Sequence, residues 1–208
     1  MGVACLSRSI GRRVSENIAE TTFDVLRRHG LLDLERMRRM RIQDMHQVSE
    51  VLNAEYRGIV DRGKKAAALF TNAQMLHDMY GGDLNGLYEL GRSSAKVVPM
   101  LQQFKQIYTR ARWVCRSMHE AGLWTDLTKD DLMFFDSHVR RALTRLGLVD
   151  NNQAWLRLRQ EMHDVVMDLF DGNTTCLYRL GRYLCAPAES EACNGRCTLK
   201  DICLYAQC

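Results

Sequence analysis

Trp155-Leu-Arg-Leu158-Arg-Gln-Glu-Met162-His-Asp-Val165-Val166-Met-Asp-Leu169-Phe170 repeats its apolar residues at intervals of three and four. That period lays them along one face of a helix, because about 3.6 residues complete a turn. The same spacing links Val25 and Leu26 to the Leu31-Leu32-Leu34 group and on through Met37, Met40, Met45, Val48, Val51 and Leu52. It returns at Ala67, Phe70, Met75, Leu76 and Met79. Alternating runs of Val, Ile, Thr and Tyr between glycine-rich turns, the signature of strands, are absent. The fold class expected is all-α, with the Met and Leu stripes as its core. Pro99 and Pro187 are the two prolines of the chain, so long helices can run unbroken. Breaks are marked instead at His29-Gly30, Gly81-Gly82-Asp83, Gly147 and Gly172-Asn173.

Of the 208 residues, 26% are charged and 46% hydrophobic, a globular balance that excludes wholesale disorder. No apolar run approaches the length of a membrane span. Met1-Gly-Val-Ala-Cys-Leu6-Ser-Arg8 is too short an apolar run for a signal peptide, and Leu6 stands where myristoylation needs Ser or Thr. A cytoplasmic monomer with no membrane partner is expected. The formal net charge is +4, yet no acidic residue falls between Glu89 and Glu120. That window carries Arg92, Lys96, Lys105, Arg110, Arg112 and Arg116, and Arg140, Arg141 and Arg145 form a second cluster. A one-signed stretch of this kind is either a solvated helix face or a polyanion footprint.

Five of the eight cysteines lie in the last 24 residues. Cys185, Cys193, Cys197 and Cys203 are separated by seven, three and five residues, with Cys208 beyond. In a cytosolic chain such clustering points to a metal site rather than to disulfides. Zinc usually takes two tight knuckles far apart, and only Cys193 with Cys197 makes such a pair. One compact loop supplying all four thiolates suits a [4Fe–4S] cluster, with zinc and free or disulfide-bonded thiols as the alternatives.

Several segments, in chain order, carry a family resemblance. Gly181-Arg-Tyr-Leu-Cys185 followed by Cys193, Cys197 and Cys203 resembles the cluster loop of the helix-hairpin-helix (HhH-GPD) iron–sulfur DNA glycosylases of the endonuclease III and adenine glycosylase type. This chain has one residue more in each of the first two gaps. Leu90-Gly-Arg-Ser-Ser-Ala-Lys-Val-Val98 is similar to the second half of that family's hairpin and the helix after it. Lys65-Ala-Ala-Ala-Leu-Phe70 and His77-Asp-Met-Tyr-Gly-Gly-Asp-Leu84 resemble the helix and turn leading in. Phe135-Asp136-Ser-His138-Val-Arg140-Arg-Ala-Leu-Thr-Arg-Leu-Gly147 looks like the catalytic-aspartate segment. Ala4-Cys-Leu-Ser-Arg-Ser9 corresponds to an early family helix, so the chain would start late.

The resemblance implies an HhH-GPD-like helical domain over 1–180 and an iron–sulfur loop over 181–208. Within the first lie a hairpin region at 84–98, an insertion at 105–130 and the aspartate segment at 135–147. It implies that Cys185, Cys193, Cys197 and Cys203 hold a [4Fe–4S] cluster. Gly91, Arg92, Lys96 and Arg140 would contact double-stranded DNA, and Asp136 would be the catalytic carboxylate. Taken alone, Asp136 reads as the cap of a helix beginning at Ser137. Ser93 falls where bifunctional members carry a Schiff-base lysine, and a serine forms no imine, so lyase chemistry is not expected. Leu87-Tyr88-Glu89-Leu90 replaces the family's Pro-Gly, which alters the tight turn. His138 is expected to pack, and Trp113, Trp124 and Trp155 to serve as core or rim, the first two bordering the base pocket.

Two functional readings follow, with a third beside them. One is a monofunctional DNA glycosylase that flips a damaged or modified base out of the duplex and hydrolyses its glycosidic bond. The other is a phage thymine-hypermodifying amino acid:DNA transferase (a glutamyl/putrescinyl thymine pyrophosphorylase), a group derived from this scaffold. Such an enzyme displaces pyrophosphate from an activated 5-hydroxymethyl pyrimidine and takes an amino acid as co-substrate. The third is a cluster-bearing DNA-binding module in which Asp136 only caps.

Overall fold

In the computed structural model, residues 16–55, 62–92, 95–185 and 197–204 are described. Among them every regular element is helical and no strand occurs. None of these helices is long and apolar enough to cross a membrane. The chain divides into two units, Met1–Leu127 and Thr128–Cys208.

In the first unit, α1 (Glu16–Arg28) stops where the sequence places His29-Gly30. The Leu31 amide reaches back to the Leu26 carbonyl at 2.8 Å and closes that end. Asp33 caps α2 (Leu34–Arg39), its carboxylate accepting from the Arg36 amide at 2.7 Å. Helices α3 (Ile42–Glu55) and α4 (Arg62–Tyr80) pack against each other, and α2 packs on α4. Between them lies a core of Val25, Leu26, Leu31, Met37, Val48, Ala66, Leu69 and Ala73. Gly81 and Gly82, at φ +63° and +83°, turn the chain after α4. Asp83 then caps α5 (Leu84–Arg92), whose inward face is Leu84, Leu87, Tyr88 and Gly91.

Leu87-Tyr88-Glu89-Leu90, where the sequence suggests an altered tight turn, lies wholly inside helix α5. Leu90, Gly91 and Arg92 belong to its last turn, and the next helix, α6 (Val97–Gln102), starts only at Val97. The physical reason is the missing proline: Tyr88 and Glu89 continue a helix that a proline would stop. A Cβ on Gly91 would stand 2.9 Å from the Val97 Cα, so the crossing of α5 and α6 needs a glycine there. The 105–130 segment folds as a 3₁₀ turn (Tyr108–Arg110), helix α7 (Ala111–Glu120) and a closing loop. Its start is fixed by Asn72, whose buried side chain exchanges two hydrogen bonds with the Lys105 main chain at 2.7 and 3.0 Å.

The second unit opens with α8 (Lys129–Leu132), closed by a Thr128–Asp131 capping box. Helix α9 (Ser137–Arg145) follows, then α10 (Trp155–Phe170), which buries Leu158, Met162 and Val166 as its period requires. Helix α11 (Thr174–Arg179), capped by Asn173, continues into a π-helical turn at Leu180–Leu184. Both α11 and the π turn pack on α9. Residues 180 and 181, where the sequence suggests a boundary, thus lie inside a continuous helical segment of this unit.

Candidate functional site

Helix α9 begins at Asp136 because the carboxylate replaces two missing helical acceptors. Its Oδ1 accepts from the amides of His138 and Val139, both at 2.9 Å. Both bonds use the same oxygen. Oδ2 has no hydrogen-bond partner among the described residues, so the carboxylate is held in one orientation with one oxygen unspent. The preceding loop is pinned in turn, as the Phe134 amide reaches the fully buried Thr174 hydroxyl at 3.4 Å. His138 packs as expected, its ring edge-on to Tyr178 with centroids 5.5 Å apart.

Cys185, Cys197 and Cys203 are all buried, at 6, 9 and 6% exposure, and none is in a disulfide. Cys185 ends the π-helical turn. Burial pushes its thiol up, whereas the adjacent Arg145 guanidinium, which hydrogen-bonds the sulfur, pulls it back down, and the Cys197 and Cys203 sulfurs act against it. Cys203 donates its S–H to the Arg145 carbonyl at 3.3 Å. The Cys197 and Cys203 sulfurs thus both lie within electrostatic reach of Cys185. Cys193 and Cys208 lie outside the described residues. Among the described residues no three Cys, His, Asp or Glu side chains already stand in a metal-binding arrangement. The donor chemistry nonetheless fits a thiolate-bound group: the three described sulfurs are buried and outside disulfides, and Cys185 has a cation nearby.

Helix α9 and the cysteine segment touch along a line. Gly181 lies so close to His138 that a Cβ would overlap the His138 carbonyl oxygen. The Arg141 guanidinium donates to the Gly181 carbonyl at 3.0 Å, and Arg145 meets Cys185 and Cys203. Residues 138, 141 and 145 share one helical face, so the second basic cluster is split: Arg141 and Arg145 turn toward the cysteine segment. Arg140, one turn past Asp136, has no ion pair among the described residues. The place of Arg145 was not legible from its charge, but standing seven residues past His138 and four past Arg141 puts it on their helical face.

In the first unit the hairpin residues are placed differently. Gly91 is buried inside α5. Arg92 is held by Glu89 at 2.7 Å and Asp126 at 3.1 Å, and its guanidinium lies 5.7 Å from the Tyr88 ring centre. Those carboxylates keep it firmly protonated, the Asp126 hydrogen bond most of all. Lys96 is exposed at the start of α6. Ser93 lies outside the described residues. Trp124 is fully buried, stacked on Tyr88 at 5.1 Å with its indole N–H given to Asn85, which makes it a core residue rather than a stacking platform. Trp155 is half exposed at the start of α10. Comparison with protein-family models, curated proteins and solved structures finds no match to this chain.

Proposed function

We propose that this protein acts on a base in DNA, as a monofunctional hydrolase of the N-glycosidic bond. The observation that carries the reading is the Asp136 carboxylate, oriented by two bonds to Oδ1 and left with Oδ2 unspent. A fixed anion of that kind stabilises the positive charge that grows on the sugar as the base departs. It can also take a proton from the water that attacks, once the base has been flipped out of the stack. Ser93 offers no amine, so the reaction stops at hydrolysis, without an imine and without strand cleavage. Lys96 and Arg140 supply phosphate contacts that carry no sequence preference. Cys185, Cys193, Cys197 and Cys203 hold a [4Fe–4S] cluster, with zinc as the alternative occupant. When bound, the group contributes folding energy to the segment that backs α9.

The transferase reading has one observation in its favour: α5 runs straight through to Arg92, which Glu89 and Asp126 hold, and this departs from a glycosylase hairpin. Duplexes bearing damaged, mismatched or 5-hydroxymethyl pyrimidine bases, the last with and without a pyrophosphoryl group and amino acids, separate the readings by mass. A free base and an abasic site mean hydrolysis. A heavier base still attached means transfer. DNA binding without either product leaves a binding module.

A further inference from the structure

We propose that Tyr108 is a stacking platform for an unpaired nucleic-acid base, with Lys105 and Arg112 contacting the phosphates beside it. Gln106 and Tyr108 hold left-handed backbone, at φ +62° and +29°. Neither is glycine, and a bulky side chain rarely adopts such a φ. The strain persists because the neighbours leave the chain no room to relax. Phe104 and Ile107 are fully buried, and Phe104 stacks on Tyr80 with ring centres 6.1 Å apart. The buried Asn72 side chain grips the Lys105 main chain through two hydrogen bonds. The Arg110 amide then closes on the Ile107 carbonyl at 2.7 Å. All this holds in place a residue that adds little to the core. Tyr108 is 54% exposed, and no hydrogen bond or ring contact holds its side chain among the described residues.

A strained backbone that holds one aromatic ring out to solvent suits a ligand with a flat face of its own. The surrounding charge says which ligand. No acidic residue stands between Glu89 and Glu120. Lys105, three residues before Tyr108, is exposed, and Arg112, four residues after it in the first turn of α7, is half-buried. Neither side chain has an ion pair among the described residues. Cations on both sides of a ring match a strand of phosphates with a base between them. An acidic peptide offers the charges without the planar rings. In a duplex the bases already stack on one another, so the base that Tyr108 receives is an unpaired one. The loop is ordered before the ligand arrives, which lowers the entropy lost on binding. The inference needs a nucleic-acid ligand only and does not involve Asp136, which belongs to the other unit.

The test is binding of a dye-labelled, single-stranded thymidine oligonucleotide to the full chain, read by fluorescence anisotropy at one low salt concentration. An abasic oligonucleotide of the same length and charge is measured beside it. Tyr108→Ala is expected to bind the thymidine strand about 5- to 150-fold more weakly, the range for losing one stacked base. On the abasic strand it equals wild type. Tyr108→Leu, which keeps bulk without the aromatic face, behaves like Tyr108→Ala, and Tyr108→Phe keeps wild-type affinity for both strands. Lys105→Ala weakens both strands alike, as the loss of a phosphate contact must. Wild-type affinity of Tyr108→Ala or Tyr108→Leu for the thymidine strand overturns the proposal. So does an equal loss on both strands, which marks a structural role for the ring. A wild type that binds the abasic strand, or poly-glutamate of similar charge, as tightly as the thymidine strand overturns it too, because the surface is then a general polyanion face. Base release is not read at any point, so failure here is distinct from failure of the hydrolase reading.

Discussion

Asp136 spends Oδ1 on two amides and keeps Oδ2, so its structural and chemical roles can be separated by substitution. Asn retains an oxygen for the cap and loses the charge. Asp136→Asn should therefore fold and melt like wild type and bind DNA equally well. Its turnover should fall by at least about a hundredfold, as when one preorganised electrostatic group is removed. Asp136→Ala loses the cap as well and should cost about 1 kcal/mol of stability, seen as an earlier denaturant midpoint. Full turnover in the Asn variant would show that this residue is a cap and nothing more. The cap was legible in the sequence, since Asp before a helical run is its commonest start. The commitment of both bonds to one oxygen was not, because it depends on the χ angles that the packed loop at Phe134 and Thr174 allows.

At the scale of elements, α10 is tied to α8 through His163, which lies 2.7 Å from Asp130. The hydrogen bond that His163 donates to Asp130 raises its pKa above the ordinary value of 6.5, partial burial opposes the rise, and Asp164 adds to it. A raised folded pKa means that the contribution is fully present below 6.5 and is lost as pH rises through the folded value. Wild type should be more stable than His163→Gln by a few tenths to about 1 kcal/mol at about pH 5.5, the range of a partly exposed pair. By about pH 8.5 the two denaturation curves should coincide. A gap that widens with pH would mean the histidine is stabilising as the neutral ring. The helices themselves were readable from period and breakers. This cross-link was not, as 33 residues separate its partners.

For the whole molecule, the basic window is less free than its composition suggests. Arg92 is held by Glu89 and Asp126, and Arg116 by Glu120. DNA affinity should still fall steeply between low and moderate salt, because released counterions drive phosphate binding. Lys96→Ala and Arg140→Ala should each weaken binding similarly on every sequence. Arg92→Ala should matter less, since its two carboxylates must first be displaced. Binding that is flat with salt would return the window to a solvated surface. Anaerobically purified protein should be brown, absorbing at about 400 nm, as thiolate-to-iron charge transfer gives. Cys185→Ala, Cys193→Ala, Cys197→Ala and Cys203→Ala should each lose the colour and fold poorly, and Cys208→Ala should keep both. A colourless protein with stoichiometric zinc would replace the cluster by zinc.

Helical class, the glycine-marked ends of α1, α4, α9 and α10, and the gathering of cysteines at the end of the chain were all determined by the sequence. Each is a local property: a 3.6-residue period, a backbone that must turn, a spacing short enough to count. Tertiary structure alone decided that the face of His138, Arg141 and Arg145 turns toward the cysteine segment, that Trp124 is core, and that Arg92 pairs with Asp126. Those outcomes join residues 34 to 58 positions apart. A charge or an indole carries no record of its distant partner, and only the packing that brings the two together settles which face turns inward.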